Sequence, residues 1–354
     1  MVGCSKDEPC RPVSGEAWMY DVSLPVPINF RSGTVASKAA IESEEDLVDK
    51  LFGFFAVNKK AGDLTQKKDI SFPENVKAIY RDVDGRKYFD FVQNGNANKS
   101  VTYYYPSNTS DYYSFYAYHP GLSAAQTTPE YEISPRSITV DVEVGRGNDI
   151  LWGEAKATPV TIAGMRYEGF NAMYVRKTGN QPVVNFKHVT ACLKLKMERF
   201  GDTADKVVLT EAVLNSIPTK VKLCVLDLAD MSRTGKITSV LETGSRAFHT
   251  DPYTLTAGTP VDLSDVFIAP QSGPVSVTFK FFVYPDDGEA MYQMNVTHEL
   301  DPSVFNGADG FEEGKWYGFN IKMYSPEKVT VEAEVESYED AFSGGYVTYD
   351  PDQE

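Results

Sequence analysis

The chain has 354 residues, which is long for one hydrophobic core and comfortable for two. It carries 34 Lys and Arg against 50 Asp and Glu, and the formal net charge of -16 would repel phosphate backbones, so nucleic acid is excluded as a favoured partner. No apolar run approaches the roughly 20 residues of a membrane-spanning helix, so we expect globular domains.

The chain opens with MVGCSKDEPC, which is too short and too polar to begin a core element. Cys4 follows Gly3, and a polar run extends to about Pro12. A lipid-modified cysteine follows a small residue and needs a hydrophilic tether of this kind. We therefore interpret Cys4 as a candidate lipidation site in a trimmed lipoprotein precursor, with residues 1–19 as the tether. An incidental early thiol is the alternative.

The next segment, YDVSLPVPINF at residues 20–30, predicts a strand. Apolar side chains recur there at strict period two, at Val22, Leu24, Val26, Ile28 and Phe30. Pro25 and Pro27 occupy intervening positions, which favours an edge strand because proline lacks a backbone N–H. Residues 41–52, IESEEDLVDKLF, place acidic residues before leucines at helical spacing and predict one short helix near the N-terminus.

The remainder of the chain predicts strands. Four alternating or β-branched runs carry this prediction: SITVDVEV at 137–144, NFKHVTACLKLKM at 185–197, SVTFKFFVY at 276–284 and TVEAEVESY near the end. Turn formers between such runs suit antiparallel connections, and strands with one apolar face must bury it against a second sheet. We predict an all-β chain of two antiparallel β-sandwiches in series, with domains at 20–180 and 181–354 and a break near Gly179 to Pro182.

No motif identifies a catalytic or metal-binding residue. The four histidines are scattered, and neither a nucleophile elbow nor a His-Glu-x-x-His pair accompanies them. Asp82-Val83-Asp84-Gly85 begins like a calcium loop, but its twelfth position is Gln93 instead of Glu, so we predict a hairpin turn. Cys192 and Cys224 lie in apolar segments and are expected to be buried thiols, with a disulfide as the alternative. We expect no enzyme, no metal and no cofactor.

Residues 103–118 are rich in tyrosine and admit two interpretations. Tyr112, Tyr113 and Tyr116 could form an aromatic platform that stacks on sugars. Alternation along a strand is the interpretation we favour, with Phe115 and Ala117 on one face and Tyr116 on the other.

Several segments together resemble one family. Ser5-Lys6-Asp7-Glu8 resembles the export signal that follows the lipidated cysteine in surface lipoproteins of gut and oral Gram-negative bacteria. Four further segments resemble, in the same order, motifs of the fimbrillin family, the type V pilins and their tip and anchor relatives: FYAYHP at 115–120, DILWG at 149–153, VVNFKHVTACLKL at 183–195 and GKWYGFNIK at 314–322.

The resemblance implies two transthyretin-like β-sandwich domains and a role as a fimbrial subunit or adhesin at the cell surface. Such proteins are exported as lipoproteins to the outer membrane and polymerise head-to-tail by strand exchange after proteolysis near the N-terminus. The displaced strand would be residues 20–30. Cleavage would fall at Lys38-Ala39, where the family carries Arg-Ala, or at Arg31. An uncleaved chain would serve as an anchor or an unpolymerised surface subunit.

The resemblance also implies partners. These are other pilin subunits, the outer membrane through a lipid anchor before processing, and host glycans or proteins. The alternative function is a glycan-binding surface lipoprotein that uses Tyr112, Tyr113 and Tyr116.

Overall fold

The structure, a computed structural model, describes fourteen ranges of the chain: 24–35, 45–60, 62–66, 70, 72–107, 111–122, 127–145, 149–162, 164–200, 205–263, 265–285, 291–304, 309–325 and 328–337. Four of the predicted site residues, namely Cys4, Val22, Lys38 and Ala39, lie outside these ranges, as does the whole predicted tether, residues 1–19.

The described residues are dominated by strands, which confirms the all-β prediction. In chain order the strands are β1 (Arg31–Val35), β2 (Leu51–Asn58), β3 (Val76–Val83), β4 (Arg86–Val92), β5 (Tyr113–His119), β6 (Tyr131–Ile133), β7 (Ser137–Glu143), β8 (Leu151–Ala155), β9 (Val160–Ile162), β10 (Met165–Tyr167), β11 (Val183–His188), β12 (Ala191–Arg199), β13 (Lys206–Asp227), β14 (Lys236–His249), β15 (Tyr253–Leu255), β16 (Val261–Asp262), β17 (Val266–Ile268), β18 (Gln271–Ser272), β19 (Val275–Tyr284), β20 (Tyr292–Leu300), β21 (Gly310–Phe311), β22 (Lys315–Ser325) and β23 (Lys328–Ser337).

Three large sheets contain most of these strands. The first sheet has the order β1-β11-β8-β5-β2-β3-β4. The second has the order β20-β19-β13-β7-β6, with β14 and β15 also paired to β13. The third has the order β16-β12-β22-β23, with β17 paired to β12. Pairing is antiparallel except between β1 and β11 and between β12 and β22, which are parallel.

Three apolar cores lie against these sheets. The first core packs on one face of the first sheet and includes Phe30, Phe52, Phe54, Phe89, Phe91, Phe115 and Phe186. The middle core lies between the first and second sheets and includes Phe55, Val57, Tyr116, Tyr118, Val140, Val142, Val221 and Leu223. The last core lies between the second and third sheets and includes Leu193, Leu195, Leu209, Phe279, Phe281, Phe319 and Ile321.

The second sheet contributes side chains to two cores. In β19, the residues VSVTFKFFVY alternate between buried and half-buried positions as period two requires, and the buried side chains enter the last core. The 22-residue strand β13 pairs with β19 through its first half and with β7 through its second half. Its apolar side chains therefore belong to the last core and then to the middle core.

The helix predicted at residues 41–52 is not present where the chain is described. Glu45–Leu47 form one 3-10 turn, and β2 begins at Leu51. The run LFGFFAVN is buried on both faces between β5 and β3, so burial of an apolar strand outweighs the helical spacing of the leucines. The α-helix of the described residues, α1, is Ala172–Thr178 instead.

The run predicted as strand at 185–197 consists of two strands in different sheets. β11 pairs with β8 in the first sheet, whereas β12 pairs with β22 in the third. The chain therefore changes sheets at Val189 and Thr190. The domain ranges 20–180 and 181–354 stay a prediction, because sheet membership does not measure whether either part folds by itself.

Two local predictions are confirmed. Asp84 and Gly85 form the turn between β3 and β4, both with positive φ, and Val83 pairs with Arg86. This is the backbone of a tight hairpin turn. Cys192 and Cys224 are buried thiols.

Candidate functional site at the N-terminal segment

The N-terminal segment, residues 24–35, lies on the first core. Its first part runs antiparallel to residues 103–105: the N–H of Ile28 donates to the Tyr103 carbonyl at 2.8 Å, and the N–H of Tyr105 donates to the Val26 carbonyl at 3.0 Å. These bonds use the backbone of residues 26 and 28. Pro25 and Pro27 therefore leave the pairing intact although they have no N–H to donate.

The apolar face of this segment is buried where the period-two pattern places it. Val26, Ile28 and Phe30 are each at most 1% exposed, while Leu24 is 38% exposed. The intervening Pro25 and Asn29 face solvent. Full burial of one such side chain contributes about 1.5–3 kcal/mol, so three of them make a substantial part of the stability of the first core.

Phe30 is the centre of this contact. Its ring centroid lies 5.1 Å from that of Phe54, 5.5 Å from that of Phe91 and 4.8 Å from that of Phe115. Edge-to-face and tilted pairs of this kind are favourable beyond the area that they bury.

The same segment connects the two edges of the first sheet. The Phe30 carbonyl accepts from the N–H of Phe89 in β4 at 3.2 Å. The N–H of Arg31 donates to the Pro182 carbonyl at 3.1 Å, and β1 then pairs with β11. Because β4 and β1 are the two ends of the sheet, removal of the segment would expose backbone groups at both edges and open the first core.

Helix α1 holds the beginning of the segment. The guanidinium of Arg176 donates to the Leu24 carbonyl. The helix starts at the N-cap Asn171, whose side chain accepts from the Tyr174 N–H at 2.8 Å, and ends at Gly179 with a φ of 71°. The asparagine before the helix and the glycine after it are the sequence signals that could have predicted α1.

Of the predicted processing positions, Arg31 lies within the described residues. Arg31 is exposed, but its backbone N–H is bonded to Pro182 and its strand pairs with β11. Lys38 and Ala39 lie outside the described residues, as do the lipidation residue Cys4 and the first apolar residue Val22.

The tyrosines of the predicted aromatic platform do not form an exposed surface. Tyr113 and Tyr116 are buried on opposite faces of β5, in the first and middle cores, and Tyr112 is half-buried beside the Lys60 ammonium. The hydroxyl of Tyr116 donates to the Glu154 carboxylate at 3.1 Å. Burial, together with that carboxylate, raises the pKa of Tyr116. These tyrosines therefore form the cores, as the alternation of the strand predicts.

Two buried polar clusters remain. The Asp149 carboxylate lies 2.5 Å from Nδ1 of His188 and accepts from the Thr190 hydroxyl at 2.8 Å. It thus connects the end of β11 to the residue before β12. Elsewhere Lys77 donates to the Asn75 side-chain oxygen at 2.9 Å and to the Tyr118 hydroxyl at 3.0 Å, and burial lowers its pKa to about 7.

Both clusters are buried. Within the described ranges, no group of three His, Cys, Asp or Glu side chains is placed to hold a metal ion. A search of the same residues for a helix long and apolar enough to cross a membrane finds none.

The sequence matches the family model described as fimbrillin-like over residues 48–337. Similar solved structures include a proposed cell adhesion protein from Bacteroides uniformis, at 16% identity and a TM-score of 0.48, with 89% of this chain and 98% of that chain covered.

Two others come from Porphyromonas gingivalis. The fimbrial anchor protein Mfa2 is 10% identical at a TM-score of 0.35, covering 88% of this chain and 97% of its own. The tip fimbrial protein Mfa3, with a C-terminal truncation, is 12% identical at a TM-score of 0.34, covering 88% and 98%. No curated protein sequence matches the chain.

Proposed function

This chain belongs to the fimbrillin-like family, and we propose that it is a non-enzymatic fimbrial subunit or adhesin of the cell surface that assembles by exchange of its N-terminal segment. One observation carries the proposal. Val26, Ile28 and Phe30 fill the first core while the backbone around Phe30 and Arg31 joins both edges of the first sheet.

Loss of the segment would create a binding site of matching shape. A row of unpaired backbone groups beside an apolar trough is the surface that an added strand fills, with ladder hydrogen bonds for affinity and alternate side chains for specificity. Each hydrogen bond contributes about 0.5–1.5 kcal/mol net, and each apolar anchor about 1.5–3 kcal/mol. A strand donated by the next subunit would give a head-to-tail contact that propagates as a filament.

The position of the cut decides how much is released. A cut between Lys38 and Ala39 would free β1 together with residues 24–30, and would expose the edge of β11 as well. A cut after Arg31 would have to occur at the start of a strand whose backbone is already paired. Proteases act preferentially on unpaired backbone, which disfavours Arg31. We therefore propose Lys38-Ala39, the pair that resembles the Arg-Ala site of the family, as the processing site.

Before processing, we propose that the protein is exported as a lipoprotein to the outer membrane. Gly3-Cys4 followed by a polar run supports this proposal, since a lipidated cysteine needs a hydrophilic tether.

Limited proteolysis tests the proposal. The full chain is treated with a trypsin-like protease under native conditions, its new N-terminus is sequenced, and its mass is followed by size-exclusion chromatography with light scattering and by electron microscopy. We expect a start at Ala39, loss of the segment and growth of filaments. The matched variant Lys38→Gln should stay uncleaved and should form no filaments.

A peptide competitor tests whether loss of the N-terminal segment opens the proposed binding site. A synthetic peptide of residues 20–30 should stop filament growth, and the same peptide with serine at positions 26, 28 and 30 should not. Cleaved protein that has lost the segment and stays monomeric would show that the proposed assembly is wrong.

A further inference from the structure

Strand β14 forms an open edge of the second sheet. It pairs with β13 from Lys236 to His249, and no other strand in the described part of the chain pairs with it. Half of its residues are exposed, with Val240 at 51% and Leu241 at 39%. A long edge that presents free backbone N–H and C=O groups is a template for another strand.

The central part of β14 is regular enough to act as such a template. Glu242, Gly244 and Arg246 pair with Lys220, Ile217 and Leu214 of β13. Between these pairs the extra residues of the irregular register belong to β13, whereas outside them β14 has extra residues, at Leu241 and Phe248 for example. One of the extra β13 residues, Ser216, adopts a positive φ of 55°. The bulges therefore bend the partner strand, and residues 242–246 keep the two-residue alternation.

The charges along this regular part are self-complementary. Glu242 and Arg246 lie four residues apart on one face, with Gly244 between them, and neither side chain has a hydrogen bond or ion pair with another described residue. If two copies pair antiparallel with Gly244 opposite Gly244, each Glu242 faces Arg246 of the second copy. Opposite charges directly across an antiparallel pair stabilise it.

We propose that β14 is a docking edge for a second copy of this chain, paired antiparallel about Gly244. The contact is isologous and closes as a dimer, unlike the head-to-tail contact of strand exchange. It does not depend on the proposed function, because the N-terminal segment stays in place. The Arg246 side chain now lies against Gly145, and it would turn from that glycine towards the partner's carboxylate.

Disulfide trapping tests the register. In a full chain with Cys4 and Cys10 replaced by serine, Gly244→Cys places two thiols opposite each other, since directly paired residues have Cα atoms about 4.5–5.5 Å apart. The new Cβ fits, because its nearest neighbour is the Thr219 methyl at 3.5 Å. The control Val240→Cys is more exposed, yet its two copies would lie about 27 Å apart in this register.

Under mild oxidation at physiological ionic strength, we expect several-fold more covalent dimer from Gly244→Cys than from Val240→Cys. Equal amounts from both variants would overturn the proposal. Circular dichroism of both variants checks that the fold is retained.

Charge reversal provides an independent test that needs no cysteine. Sedimentation velocity should show a concentration-dependent dimer for the unmodified chain, a several-fold weaker one for Glu242→Arg and a restored one for Glu242→Arg with Arg246→Glu. A chain that stays monomeric at every concentration, or a double variant that is no better than the single one, would overturn the proposal. Binding of the residue 20–30 peptide to β14 in place of a second copy would also overturn it.

Discussion

The ring of Phe30 meets the ring of Phe115 edge-on, with centroids 4.8 Å apart and an interplanar angle of 89°. Phe30 comes from the N-terminal segment, whereas Phe115 lies in β5, a central strand of the first sheet. A residue close to the beginning of the chain therefore completes a core that is otherwise built from residues far along the sequence.

Removal of the Phe30 ring should lower the stability of the intact chain. Phe30→Ala leaves a cavity among the rings of Phe54, Phe91 and Phe115, and we expect the free energy of unfolding to fall by about 3–5 kcal/mol. The exposed neighbour Asn29→Ala should change it by less than about 0.5 kcal/mol. Urea denaturation measures both, and equal effects would contradict the assigned packing.

The Asp149 carboxylate should be essential for folding stability. Asp149→Ala removes both carboxylate oxygens, so the buried His188 ring nitrogen and the Thr190 hydroxyl each lose a hydrogen-bond partner. We expect a loss of about 3 kcal/mol in chemical denaturation. Thr190→Val removes one hydrogen bond and should cost about 1 kcal/mol. A loss from Asp149→Ala no larger than that of Thr190→Val would contradict the prediction.

Lys77 should make stability rise with pH above neutrality. Burial lowers its pKa from 10.5 to about 7, so between these values the unfolded chain holds a proton that the folded chain lacks. Stability increases with pH wherever the unfolded state binds more protons, and each pKa unit corresponds to about 1.4 kcal/mol. Below pH 7 the folded chain bears the full cost of the buried charge.

Chemical denaturation at several pH values from 7 to 10 measures this effect. Lys77→Met should be more stable than the unmodified chain at pH 7 and should show a smaller rise with pH. The exposed Lys99→Met serves as the control and should retain the rise. Parallel curves for the unmodified chain and Lys77→Met would contradict the assignment.

Neighbouring tyrosines at the start of β5 should behave differently. Tyr113 is buried in the first core, so Tyr113→Ala should cost about 3–5 kcal/mol. Tyr112 is half-buried beside Lys60, so Tyr112→Ala should cost well under half of that. Thermal denaturation compares the two variants, and a larger loss at Tyr112 would contradict the orientation of the strand.

The residue pattern predicted a strand correctly where the whole strand lies in one sheet and buries one face. The alternation of SITVDVEV and of SVTFKFFVY predicted β7 and β19, since a strand that buries one face must repeat every two residues. The same rule placed Val26, Ile28 and Phe30 on a buried face. The turn at Asp84 and Gly85 was equally local.

The residue pattern gave wrong predictions where packing against distant strands decides the structure of a segment. The leucines at 47 and 51 have helical spacing, but Leu51 begins a strand buried on both faces. The single run at 185–197 was divided between two sheets, because Val189 and Thr190 lie at their junction. The spacing of apolar residues along the chain does not record which sheet each side chain meets.

The sequence by itself determined the all-β class, the resemblance to fimbrillins and the buried face of residues 24–30. Composition, period and turn chemistry are properties of neighbouring residues, and these are enough for such conclusions. Only the tertiary structure decided that Phe30 joins both edges of the first sheet, which core each of Tyr113 and Tyr116 enters, and that β14 lies at an edge of the second sheet. Each of these depends on contacts between residues far apart in sequence, which are established only when the sheets pack and exclude water.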